Sequence, residues 1–240
     1  MKSSDKHQAF RLAHIFAIDR LRMGTDGHGI TTLVCFMGCP LRCAYCLNDR
    51  CHEEIYSYGN NGLSLKKEII QLDVNELYDR VKVDDLYFQA TGGGICFGGG
   101  EPTRYASFIE EFRRICGNVW KITLETSLYC PEDTIRQLAP IVDHWIVDVK
   151  DINHVIYERY TGQPSCIRDH SLSVLLQTCR VKDITVKVPL IPGYNTDKDV
   201  DYSLDELERM GFTNFECVRY LQRESKYHPQ TKGLQHERKG

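Results

Sequence analysis

The chain has 240 residues, 42% of them hydrophobic and 26% charged, and a formal net charge of −3. That length and apolar content suffice for one soluble enzyme domain with a substantial core, and the small net charge gives no support for bulk binding to nucleic acid or to a membrane surface. No apolar stretch approaches the roughly 20 residues that span a bilayer, the opening Met1-Lys2-Ser3-Ser4-Asp5-Lys6 lacks a signal-peptide core, and 11 cysteines, an odd number, fit a reducing cytosol better than a disulfide framework; the expected location is cytoplasmic.

In chain order, short apolar runs alternate with amphipathic stretches, the pattern of βα units on a largely parallel sheet. The spacing predicts a first strand over Ile30–Phe36, then a helix opened by the capping-box pattern Asp73-Val74-Asn75-Glu76. Further strands are expected over Gly94–Phe97, Lys121–Glu125, Trp145–Val149, Ile184–Ile191 and Phe215–Tyr220. Helices are expected over Arg104–Cys116, Glu132–Leu138 after a starting Pro131, Ser171–Cys179 and Val200–Met210. Six such strands suggest an α/β partial barrel. No repeat of solenoid length and no Pro- or Ser-rich linker divides the chain, so residues 1–240 read as a single domain with a polar, basic tail over 223–240.

The loop after the first predicted strand, Gly38-Cys39-Pro40-Leu41-Arg42-Cys43-Ala44-Tyr45-Cys46, spaces Cys39, Cys43 and Cys46 as C-x3-C-x2-C. Cysteine thiolates hold iron–sulfur clusters, usually four per cubane, so three in a compact loop leave one iron without a protein ligand and open to a substrate. Glycine and proline beside Cys39 suit a tight loop around an inorganic core, and an aromatic before Cys46 can shield it. The competing reading adds Cys35 to make a four-cysteine zinc site. Zinc modules usually keep two cysteine pairs well apart, whereas Cys35 lies within the apolar run of a buried strand. The other cysteines, from Cys51 to Cys217, form no second compact ligand set.

About one βα unit later comes Thr91-Gly92-Gly93-Gly94-Ile95-Cys96-Phe97-Gly98-Gly99-Gly100-Glu101-Pro102. Glycines at a strand end let the backbone approach a ligand, and the Glu101 carboxylate can meet an ammonium group there. Standing alone, such a run reads equally well as a tight βα connection.

Together and in this order, the two motifs resemble those of the radical S-adenosylmethionine (SAM) superfamily. Asp26-Gly27-His28-Gly29-Ile30, Gly92-Gly93-Gly94, and Asp148-Val149-Lys150 followed by Tyr160-Thr161-Gly162 extend the resemblance to the glycyl-radical enzyme activating enzymes, with the pyruvate formate-lyase activating branch nearest in layout. The resemblance implies a partial (β/α)6 barrel of radical SAM type. Its cofactors would be a [4Fe–4S] cluster on Cys39, Cys43 and Cys46, and SAM bound by Gly99, Gly100 and Glu101 at its amino group and by Lys150, Lys187 and Asp148 around its carboxylate. Glu125, Thr126 and Asp148 are implied to surround a monovalent cation. Two positions differ from the nearest branch: Glu125 stands where a shorter aspartate is usual, and Leu221, with Gln222 beside it, where a histidine is usual.

Each lysine alone would read as a solvated surface charge, but both stand at the ends of apolar runs, and ligands in α/β folds collect beyond strand C-termini. The activity so implied is that of a radical SAM oxidoreductase. It would cleave SAM reductively, using an electron from flavodoxin or ferredoxin, and place a glycyl radical on a partner enzyme. Two alternatives stay open: a radical SAM enzyme that modifies a small molecule or peptide by hydrogen abstraction, and a non-enzymatic iron–sulfur or zinc scaffold.

Overall fold

The structure is a computed structural model that describes residues 12–59 and 62–220; Leu221, Gln222 and the polar tail lie outside them. Ten strands form among the described residues: β1 (Ala13–Met23), β2 (Ile30–Phe36), the hairpin β3 (Tyr56–Gly59) and β4 (Gly62–Leu65), β5 (Ile70–Leu72), β6 (Gly94–Gly99), β7 (Lys121–Thr126), β8 (His144–Asp148), β9 (Ile184–Leu190) and β10 (Phe215–Arg219). The main sheet runs β10-β9-β8-β7-β6-β2-β1-β5. From β2 to β10 every neighbouring pair is parallel, while β1 is antiparallel to both β2 and β5. Six parallel strands in sequential order are the six expected from the sequence.

Helices connect these strands: α1 (Val74–Val81) and α2 (Asp85–Thr91) between β2 and β6, α3 (Ala106–Cys116) before β7, α4 (Glu132–Leu138) before β8, α5 (His154–Thr161) and α6 (Cys166–Thr178) before β9, and α7 (Asp197–Met210) before β10. A parallel sheet is covered on its faces, so its strands are apolar almost throughout: Ile95, Phe97, Ile122, Leu124, Trp145, Val147, Val186 and Val188 are all buried. Phe36 stacks on Phe97 at 5.4 Å between ring centres, and Phe97 meets Phe112 of α3 edge-on at 5.5 Å. Burying each side chain of this size contributes about 1.5–3 kcal/mol.

Local chemistry sets the helix boundaries. Asp73 accepts from the Glu76 backbone N–H at 2.9 Å while the Glu76 carboxylate accepts from the Asp73 N–H at 2.8 Å, the reciprocal box read from the sequence. Pro131 is the N-cap of α4. Helix α6 begins at Cys166, ahead of the expected Ser171, because Arg168 in its first turn points inward, wholly buried, with its guanidinium 4.3 Å from the centre of the Tyr157 ring.

Strand β1 was not expected. Its apolar half, Ala13–Ile18, is followed by Asp19, Arg20 and Arg22, which break the pattern; its register shifts between Asp19 and Arg22, where Leu21 takes a φ of +58°. Tertiary partners hold that irregular end. Arg20 pairs with the fully buried Asp84, which also accepts from Thr32 of β2 at 2.9 Å. Thus β1 covers the edge that β2 would otherwise expose.

Candidate active site

The C-terminal ends of the parallel strands open onto one cleft. Cys39, Cys43 and Cys46, Gly99, Gly100 and Glu101, Glu125 and Thr126, Asp148 and Lys150, and Lys187 all line it. Every candidate site residue read from the sequence therefore meets at one end of the sheet, the end at which α/β folds bind ligands. Ser127 and Tyr220 line it too, although no motif pointed to them.

The cysteine loop is held from several sides. Backbone N–H groups of Arg42 and Ala44 donate to the carbonyls of Thr161 and Tyr160 at 2.8 and 2.9 Å, the Tyr160 hydroxyl donates to the Tyr45 carbonyl at 3.1 Å, and Gln163 Nε2 donates to the Pro40 carbonyl at 3.2 Å. The Tyr160-Thr161-Gly162 segment thus clamps the loop from below. Burial, with the Glu101 carboxylate nearby, pushes the Cys39 thiol up to about 12. Burial also raises Cys43, to about 11, against the opposing pull of Lys150. Cys46 is held down to about 7 by a hydrogen bond with the Cys51 thiol. Cys35 is buried in a small apolar cluster with Phe16, Met37, Cys51 and Ile69, against which Cys39 of the loop also packs.

Gly99 and Gly100 serve close packing of the turn after β6. A side chain on Gly99, whose φ is +84°, would put its Cβ 2.7 Å from the Cys35 Cα, and one on Gly100 would lie 2.3 Å from the Gly38 carbonyl oxygen. The turn is bonded to the cysteine loop: Gly100 N–H donates to the Phe36 carbonyl and Glu101 N–H to the Gly38 carbonyl, both at 2.9 Å.

The Glu101 side chain does not reach out as a free carboxylate. Only 1% exposed, it accepts from Thr103 N–H at 3.2 Å and Thr103 Oγ1 at 2.8 Å, from Thr126 Oγ1 at 2.6 Å, and from Ser127 N–H and Oγ at 3.0 and 2.6 Å. A carboxylate offers about four lone-pair sites, and these five donors use them. The residue fixes the two turns that frame the cleft.

On the opposite wall, Lys150 pairs with Asp148, and Tyr220 bridges them: Lys150 Nζ donates to the Tyr220 hydroxyl, which donates to Asp148 Oδ2, both at 3.2 Å. Lys150 has a φ of +70°, a conformation that costs a non-glycine residue of order 1–3 kcal/mol and persists where the surroundings dictate it. They do so here. Arg168 donates to the carbonyls of Asp151 and Ile152 immediately beyond it, the latter at 3.3 Å, and Asn195 Nδ2 donates to Asp151 Oδ2 at 3.0 Å.

Lys187 Nζ donates to Glu125 Oε1 at 2.9 Å. Burial alone would lower both lysines, but Asp148 and Glu125 respectively outweigh it and hold them above their ordinary value. Glu125, Thr126 and Asp148 share the cleft wall, but each is committed to a protein partner: Glu125 to Lys187, Asp148 to Lys150, and the Thr126 hydroxyl to Glu101 and to Leu128 N–H at 2.9 Å. Lysine ammonium groups supply the positive charge beside both carboxylates. Of the atoms of Glu125, Thr126 and Asp148, Asp148 Oδ1 is buried without a hydrogen-bond partner among the described residues.

The sequence profile of the Radical SAM superfamily matches residues 33–207, and the chain belongs to that superfamily. It is 29% identical over 195 residues to the pyruvate formate-lyase-activating enzyme of Staphylococcus aureus (strain USA300), a match covering 78% of this chain and 71% of that enzyme. It is 26% identical over 249 residues to the (2S)-3-sulfopropanediol dehydratase activating enzyme of Klebsiella oxytoca, covering 80% of this chain and 77% of the relative. Among solved structures, SuiB of Streptococcus suis bound to S-adenosylmethionine matches with a TM-score of 0.57 at 13% identity, over 78% of this chain but only 40% of SuiB, a likeness of fold. The architecture is the partial barrel of radical SAM enzymes.

Membership implies a [4Fe–4S] cluster and SAM, and the residues present fit both. Three thiols face one cleft from a single clamped loop, thiolate being the usual cluster ligand. Across from them, two partly buried ammonium groups, each paired with a carboxylate, and Asp148 Oδ1 give the wall both signs of charge, which suits a ligand that carries both. No helix among the described residues is long and apolar enough to cross a membrane.

Proposed function

We propose that this chain is a glycyl-radical enzyme activase. Cys39, Cys43 and Cys46 would hold the cluster, and SAM would lie between the turn after β6 and the wall formed by Asp148, Lys150 and Lys187. When bound, the cluster and SAM supply one-electron bond cleavage and a carbon radical able to abstract hydrogen. The chain's own residues place and shield that chemistry. Lys187 and Lys150 offer ammonium charge to the SAM carboxylate, Asp148 Oδ1 accepts from a donor on the ligand, and the turn held by Glu101 presents backbone acceptors to the amino group. No protein acid–base pair is needed, which agrees with a cleft whose carboxylates are already committed to lysines and hydroxyls. Flavodoxin or ferredoxin would deliver the electron.

The observation that carries this reading is that both sequence motifs and the Asp148–Lys150 wall meet in one cleft, in a chain that aligns over about four-fifths of its length with two activating enzymes. Among the described residues the sheet is also unclosed, with β5 and β10 at its two edges, so a loop of a protein substrate could reach the cleft from the side. The test mixes the reconstituted protein anaerobically with SAM, a low-potential reductant and a candidate partner. Electron paramagnetic resonance should show a carbon-centred radical whose hyperfine pattern changes when the partner's glycine is deuterated at Cα, and oxygen should then cut the partner at that glycine. SAM cleavage with every partner silent and a small molecule or peptide altered would replace this reading with the second one.

A further inference from the structure

A second group of soft donors lies at the edge of the cleft. After Cys46 the chain makes a short 3-10 turn over Asp49–His52; Cys51 N–H donates to the Asn48 carbonyl at 2.9 Å, and the Cys51 carbonyl accepts from Gly38 N–H at 2.7 Å. That double tie brings Cys51, otherwise a buried thiol, back onto Cys46 with His52 beside it. The two sulfurs and a His52 ring nitrogen all lie within 4.8 Å of one another, and among the described residues no other three His, Cys, Asp or Glu side chains gather so closely. A thiol that only fills a core needs no such company.

We propose that Cys46, Cys51 and His52 form a mononuclear site for zinc that is available only while the cluster is absent. Two thiolates and an imidazole are a ligand set suited to Zn²⁺, with water completing the tetrahedron. Ligand atoms about 2.0–2.3 Å from zinc lie roughly 3.3–3.8 Å apart in a tetrahedron, so the three donors need close in only modestly. Because the proposed cluster also requires Cys46, one chain cannot hold both at once. Zinc would then act as a competitor for cluster assembly, and Cys51 and His52 would decide how strongly. This inference rests on the cluster assignment for Cys46, but its primary readout, zinc affinity, does not need the enzyme to be active.

The test uses the full chain freed of iron and sulfide under reducing, anaerobic conditions, titrated with Zn²⁺ and, as a spectroscopic probe, with Co²⁺. The expected result is one tight equivalent with cobalt showing tetrahedral, thiolate-bound bands. Cys51→Ser and His52→Ala, each removing a direct ligand, should weaken zinc by at least about tenfold, whereas Cys39→Ala and Cys43→Ala should leave it within about twofold. The zinc-loaded wild-type chain should resist iron and sulfide uptake until a chelator is added, and Cys51→Ser should assemble its cluster in the presence of zinc. Zinc affinity indifferent to Cys51→Ser and His52→Ala, or lost equally in Cys39→Ala and Cys43→Ala, would overturn the proposal. Should Cys51→Ser fold poorly, His52→Ala, at a partly exposed position, decides alone. A metal-free chain that never takes up iron and sulfide would instead count against the cluster assignment, whatever zinc does.

Discussion

Thr126 at the end of β7 donates its hydroxyl to Glu101 Oε1 at 2.6 Å and so ties the turn after β6 to the neighbouring strand. The same hydroxyl accepts from Leu128 N–H at 2.9 Å, and Ser127 adds two donors to the other Glu101 oxygen. The cleft wall on this side is a single hydrogen-bonded unit whose hub is one buried carboxylate.

Removing that hub should loosen both turns at once. Glu101→Ala leaves buried N–H and O–H donors without an acceptor, at about 1–3 kcal/mol for an unsatisfied group, and should lower the unfolding midpoint in denaturant. SAM affinity, measured by calorimetry on the reconstituted protein, should fall by roughly five- to 150-fold, the equivalent of that energy range. Iron content should fall much less. Thr126→Val should move both quantities the same way by a smaller amount, and unchanged SAM affinity in Glu101→Ala would count against this role.

For the cysteines, Cys39→Ala, Cys43→Ala and Cys46→Ala should each abolish reductive SAM cleavage, since an iron loses its anchor. Cys35→Ala should keep the cluster, because its thiol packs against Phe16, Met37 and Ile69; a small loss of stability is its only expected cost. Cys51→Ala should keep it as well. Iron, sulfide and 5′-deoxyadenosine assays on the purified variants check these outcomes, and a cluster-free Cys35 variant would restore the four-cysteine reading.

Much of this was legible before any coordinates. The six parallel strands followed from apolar runs bounded by turn residues, and the cysteine and glycine-rich motifs named their cleft. Helix α5 escaped because its sequence, His154–Thr161, shows little amphipathic contrast; what defines it is the Asn153 side chain accepting from Val155 N–H at 2.9 Å and the left-handed Gly162 at its end. The structural part that Glu101 plays, beyond its expected place at the SAM amino group, was hidden for a different reason. A sequence shows a carboxylate beside glycines but not the Thr126 and Ser127 donors, which come from a strand one βα unit away. Cys51 likewise gave no signal, since only the turn at Asp49–His52 folds it back onto Cys46.

The lysines give a pH prediction. Both Lys150 and Lys187 are held above the ordinary lysine value, near 10.4, because their carboxylate partners outweigh the burial that lowers them. A pKa raised in the folded state means the pairs stabilise fully below about pH 10.4 and lose that contribution as pH rises through the higher folded values. Stability of the wild-type protein should therefore hold through neutral pH and decline on the alkaline side. Lys150→Met should flatten that decline, lower overall stability by leaving Asp148 without its ammonium, and weaken SAM binding. Tyr220→Phe, which removes a hydroxyl between the pair, should cost less, about 0.5–1.5 kcal/mol for a hydrogen bond. Chemical denaturation across the alkaline range reads all three, and an alkaline limb identical in Lys150→Met and wild type would contradict the assignment.

On the proposed activase reading, the radical chemistry of this cleft ends on a glycine of a partner protein. The most direct test of that reading counts two products in one anaerobic reaction with reductant and partner: 5′-deoxyadenosine by chromatography and glycyl radical by spin quantification. The two should rise together, one 5′-deoxyadenosine for each radical formed, and stop when the partner is fully activated. Continued accumulation of 5′-deoxyadenosine with a modified small molecule or peptide and no matching protein radical would contradict it.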